Sequence, residues 1–193
     1  ARDILNQATI EANALGISLE VALFLTDAAE EELSAFVKEL GEIKPPVSTW
    51  LIFQIAEKST TARWVQLARR YLSNYDPTAK IGAGANAYFT ELNRGRPPID
   101  VLDVVCYSIN PQVHAFDNAS LVETLETQAR TVESARQFVS HLPVAVTPIT
   151  LTPRFNPDAT GPEPPLGVGE LPSPVDVRQM SLLGAWWTLG SLK

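Results

Sequence analysis

One cysteine and two histidines are all that 193 residues hold of the usual soft metal ligands. A single thiol, Cys106, excludes a disulfide framework within the chain. It lies in an apolar, strand-like run with no His or Arg beside it to lower its pKa. A buried core thiol is the plain reading and a catalytic one the alternative. His114 and His141 cannot by themselves assemble a His/Cys zinc site, and neither a metal nor another cofactor is expected. No apolar run approaches the roughly 18 residues that a membrane-spanning helix takes. The 15 basic residues are outnumbered by 22 acidic ones, for a net charge of −7 and a pI of about 4.8. An acidic chain without basic clusters is not built for nucleic acid or an anionic membrane surface.

Short signatures are missing as well. No G-x-G-x-x-G or G-x-x-x-x-G-K-[ST] opens a helix; Gly82 and Gly84 make a G-x-G, but no third glycine follows at the required place. No G-x-S-x-G elbow is present, which removes the α/β-hydrolase nucleophile. What remains is ordinary globular sequence, 45% hydrophobic with a mean hydropathy of +0.01. It is long enough to bury one core, with residues 1–193 as a single domain. The opening Ala1-Arg2-Asp3, without Met or leader, and the close at Lys193 inside an apolar helical pattern read as the ends of a segment from a longer protein.

Strand and helix signals alternate along the chain. A short helical stretch over 3–15 stops at Gly16. The β-rich run 17–25 follows, and Thr26-Asp27 caps a helix with Glu30, Glu31 and Glu32 in its first turn, ended by Gly41. Pro45-Pro46 introduces a strand over 47–55, and Ser59-Thr60-Thr61 caps a helix carrying Trp64, Leu67, Ala68, Tyr71 and Leu72. Asp76-Pro77 breaks that helix before a Gly-rich strand over 80–85, whose backbone something could approach closely. A short helix over 89–94, a strand over 101–109, a long helix capped near Asp117 and a strand over 143–151 complete the series. A Pro/Gly-rich stretch over 153–174 then leads to an apolar helix with Trp186 and Trp187.

Such alternation implies a parallel sheet with right-handed crossovers. Polar residues follow almost every strand instead of clustering at one switch point, which points to an α/β fold of the (β/α)8 TIM-barrel type. About five consecutive β/α units make only part of that barrel.

A barrel carries its chemistry at the carboxyl ends of its strands, and this sorts the polar residues. Glu20 and Asp103 come early in their strands and are assigned structural roles. Gln54 and Glu57, Asn86, Glu91 and Asn93, Tyr107, Asn110, Gln112 and His114, and Thr150, Arg154 and Asn156 follow strand ends. Tyr107 to His114 is the densest run and offers a phenol, amides and an imidazole suited to a hydroxylated small molecule. Glu57 and Glu91 could form a carboxylate pair for general-base or glycosidic chemistry, and Arg154 could hold a developing oxyanion. Each has a plainer alternative: surface glutamates, a loop histidine, a loop salt bridge. The tryptophans read as packing residues, and the 153–174 loop as a lid over the site.

The stretches Asn86-Ala87-Tyr88-Phe89-Thr90-Glu91-Leu92-Asn93-Arg94, 107–117 (YSINPQVHAFD) and Pro153-Arg154-Phe155-Asn156-Pro157 resemble the D-apionate lactonase (D-apionolactonase) family, as does the close from Arg178 to Lys193. The resemblance implies a cytoplasmic bacterial hydrolase of branched-pentose breakdown, opening the small sugar lactone D-apionolactone to D-apionate. Lactone opening needs an activated water and a stabilised oxyanion. Within that implication Glu57 or Glu91 is the base and His114 or Arg154 the oxyanion partner. Asn86, Asn93, Tyr107, Asn110 and Gln112 hold substrate. A glycoside hydrolase on the same barrel and a non-catalytic carbohydrate-binding barrel remain the alternatives.

Overall fold

Helix α1 (Arg2–Leu15) leads into strand β1 (Leu19–Leu25), and the pattern repeats: α2 (Ala29–Ile43), β2 (Val47–Gln54), α3 (Ala62–Tyr75), β3 (Lys80–Gly84), α4 (Phe89–Gly95), β4 (Val104–Ile109), α5 (Asn118–Val139), β5 (Val144–Ile149) and α6 (Leu182–Ser191). These elements come from a computed structural model that describes residues 2–153, 165–172 and 174–192. The five strands are all parallel and lie in sequence order, β1-β2-β3-β4-β5. A doubly wound sheet reverses its strand order at a switch point; this one never does. It is a curled half-barrel, and among the described residues β1 and β5 are its open edges.

Strand alternation divides the side chains between two faces. Val21, Leu23, Trp50, Ile52, Ile81, Ala83, Val105 and Tyr107 turn outward and form the main core with α2, α3 and α5. Each fully buried Leu, Ile or Val in it contributes roughly 1.5–3 kcal/mol. Leu51, Phe53, Val104 and Cys106 turn inward and make a separate small cluster on the concave face with Ala145. A third cluster seats Trp187 of α6 on Leu121 and Leu151, with its indole N–H donating to the Leu121 carbonyl at 3.0 Å.

The glycines of β3 serve this curl. A Cβ at Gly82 would meet Val104 Cγ1 at 2.5 Å and Leu51 Cδ2 at 2.8 Å, and one at Gly84 would stand 1.9 Å from the Cys106 carbonyl oxygen. What approaches the β3 backbone is therefore the neighbouring strands, not a ligand.

Several boundaries differ from the sequence expectation. Helix α2 runs past Gly41 to Ile43 and stops at Lys44, whose φ of 53° and N–H bond to the Leu40 carbonyl close it before the two prolines. Val101 belongs to a 3-10 turn (Ile99–Val101) started by the proline pair, so β4 begins only at Val104. At the amino end of β4, Asp103 pairs with Arg69 at 2.9 Å and accepts the Ile81 N–H at 2.8 Å, which ties α3 to the sheet away from the strands' carboxyl ends.

Candidate functional site

The concave face, from β1 to β5, and the carboxyl ends of its strands line an open cavity of about 510 Å³. Phe24 and Phe53 form its apolar wall, their rings stacked with centroids 5.3 Å apart. Its polar groups are Glu20, Gln54, Glu57, Asn86, Ser108 and Thr147. An apolar wall with a few convergent donors and acceptors is the usual build of a small-molecule site.

Each polar group is held differently. Glu57 accepts three hydrogen bonds, from the Thr61 N–H at 2.8 Å, the Thr61 hydroxyl at 3.1 Å and the Trp64 indole at 2.8 Å. It thereby caps α3, whose N-cap residue Thr61 makes no such bond itself. Gln54, at the end of β2, accepts the Ala56 N–H at 2.6 Å through its side-chain oxygen. Glu20 accepts the Thr147 hydroxyl at 2.7 Å, a bond between the two edge strands across the concave face. Cys106 is fully buried beneath; desolvation above all, and then the charge of Glu20, pushes its thiol pKa far up. It stays a protonated core thiol.

The other expected site residues lie elsewhere. Asn110 and His114 line a groove of about 610 Å³ between α4 and α5, with Tyr88, Phe89, Thr124 and Thr127. Glu91 is buried on α4 and pairs with Arg94 at 2.8 Å, and Asn93 is exposed on the same helix. Neither lines the concave cavity. Tyr107 faces the helices: its ring is buried in the helix layer edge-on to Phe89, and its hydroxyl bonds Thr131 at 2.7 Å. Burial raises its pKa, and the side chain packs the barrel wall. Gln112 is buried beside the chain that leads to α6. Its amide donates to the Leu151 carbonyl at 2.7 Å and to Asp176 at 2.6 Å, and accepts from Arg178 at 2.7 Å. These bonds tie the β4 and β5 loops to the approach to α6. Arg154 and Asn156 lie outside the described residues, as does most of the expected lid.

A family model described as "D-apionate lactonase, TIM barrel domain" matches residues 2–193. The chain belongs to that family. A curated relative from Brucella anthropi, named D-apionate lactonase, is 40% identical over 81 residues, which are 42% of this chain and 13% of that relative. The match thus spans a small part of the relative's length.

For a D-apionate lactonase TIM barrel domain, the concave cavity is the expected place for chemistry, at the strands' carboxyl ends. Sequence reasoning reached Gln54, Glu57 and Asn86 in it, and missed Glu20, Ser108 and Thr147. The signal was strand parity. Glu20, Ala22 and Phe24 form one alternating set, and within β4 Ser108 shares its face with Val104 and Cys106 while Tyr107 takes the other. Among the described residues no group of three or more His, Cys, Asp or Glu is placed to hold a metal, and no helix is long and apolar enough to cross a membrane.

Proposed function

We propose that this domain belongs to a hydrolase that opens a sugar-acid lactone, D-apionolactone to D-apionate, in the bacterial cytoplasm, with the concave cavity as its active site. The observation that carries the reading is the make-up of that cavity: an apolar wall of Phe24 and Phe53 facing Asn86, Ser108 and two carboxylates. The family and the name of the Brucella anthropi relative support the substrate class. A lactone ring offers an apolar face to stack on the phenyl wall and hydroxyls to be read by amide and hydroxyl groups. In this reading Asn86 and Ser108 hold those hydroxyls and polarise the carbonyl, and Gln54 fixes the loop beneath them. Glu91, paired with Arg94 off the cavity, has no part in the attack on the ring.

The intact enzyme, assayed in parallel with aldonolactones and aryl glycosides, tests this directly. Acid release from a five-membered aldonolactone without glycoside turnover is the expected result. Turnover of the glycoside alone, or binding of sugar without any turnover, would replace the lactonase reading.

A further inference from the structure

Glu20 stands on the inward face of β1, where barrels usually carry branched apolar side chains. An ionised carboxylate has about four acceptor sites, and among the described residues the hydrogen bond from Thr147 occupies one of those of Glu20. Glu57, the other carboxylate of the cavity, has its oxygens turned to the first turn of α3 and the Trp64 indole. The two carboxylates thus divide by role: one is consumed by a helix end, and the other, among the described residues, is fixed at one point and open at the rest.

The early position of Glu20 in β1 does not remove it from the reaction zone. Strands of a barrel tilt against its axis, so a residue early in one strand comes level with a later one several strands along. Glu20 is second in β1 and Thr147 fourth in β5, yet they bond across the concave face.

We propose that Glu20 is the general base of lactone opening and that Thr147 is its positioning residue; this rests on the lactonase reading. Glu20 takes a proton from a water whose oxygen bonds to the lactone carbonyl carbon. The tetrahedral oxyanion collapses, the bond from that carbon to the ring oxygen breaks, and Glu20 returns the proton to the departing oxygen as a hydroxyl. The new carboxylic acid ionises and releases one proton to solution. Thr147, by donating to one carboxylate oxygen, leaves the other aimed at the water.

Glu20→Gln, Glu20→Ala, Thr147→Val and Thr147→Ser in the intact enzyme, followed by acid release from an aldonolactone, test this. Glu20→Gln, close to isosteric, is expected to lower kcat by about 100-fold or more while KM moves little. Sodium formate, as a diffusible carboxylate, is expected to restore part of the rate to Glu20→Ala. Thr147→Val should lower kcat and Thr147→Ser recover it. Wild-type enzyme inert to aldonolactones would overturn the lactonase reading and the base with it. Active wild type with a Glu20→Gln rate within about three-fold of normal would overturn the base alone, since general-base loss costs far more. So would a folded Glu20→Ala that formate does not help.

Discussion

A single methyl group decides how β3 and β4 meet. At Gly84 it would fall 1.9 Å from the Cys106 carbonyl oxygen, a backbone atom that cannot swing aside. Gly84→Ala is therefore expected to cost about 3 kcal/mol or more, at the upper end for overpacking, read as a lower urea midpoint. Gly16 gives the contrast: its φ is 66°, but nothing lies within 4 Å of the added carbon. There only the left-handed backbone penalty applies, about 1 kcal/mol. Equal losses at the two positions would show that contact with Cys106 is not what restricts Gly84. Residue identity at this scale was only half legible. A glycine pair in a strand signalled a close approach, but the sequence could not say that the approaching group was the next strand.

Helix ends show a similar division. Asp117 was readable as the cap of α5, and its carboxylate accepts the Ser120 N–H at 3.0 Å. For α3 the N-cap residue is Thr61, within the expected Ser59-Thr60-Thr61, but the side chain that accepts there is that of Glu57, reaching forward four residues to the Thr61 N–H. Sequence spacing alone could not show that the chain folds back there and brings the carboxylate over the helix. Glu57→Ala removes all three acceptor contacts and is expected to cost about 1–2 kcal/mol, with faster amide exchange in the first turn of α3. Glu57→Gln keeps an acceptor oxygen and should lose less. If both variants melt with the wild type, Glu57 is not the cap that holds α3.

At the scale of the whole molecule, the alternation of strands and helices and their parallel order were legible because turn residues and hydrophobic runs are local. Which side of each strand faces inward is set by register, and one residue's error exchanges the faces. That is why the sequence does not show that Tyr107 turns to the helices and Ser108 to the concave face. Longer-range ties were not legible at all. Gln112 meets Asp176 and Arg178 although it stands more than 60 residues before either along the chain, and the three lock the β4 and β5 loops to the approach to α6. The Arg178 guanidinium, at 2.6 Å, holds the largely buried Asp176 carboxyl well below the usual carboxylate range. Because the folded pKa lies below the unfolded value of about 3.9, the clasp stabilises fully above that pH and weakens as acid protonates it. Asp176→Asn leaves Arg178 without its counter-charge and is expected to cost about 2 kcal/mol at pH 7. The gap between wild type and Asp176→Asn in denaturant unfolding should then shrink as the pH falls from about 4 toward 2. A gap that stays constant over that range would mean that the clasp owes its strength to packing and not to the charge on Asp176.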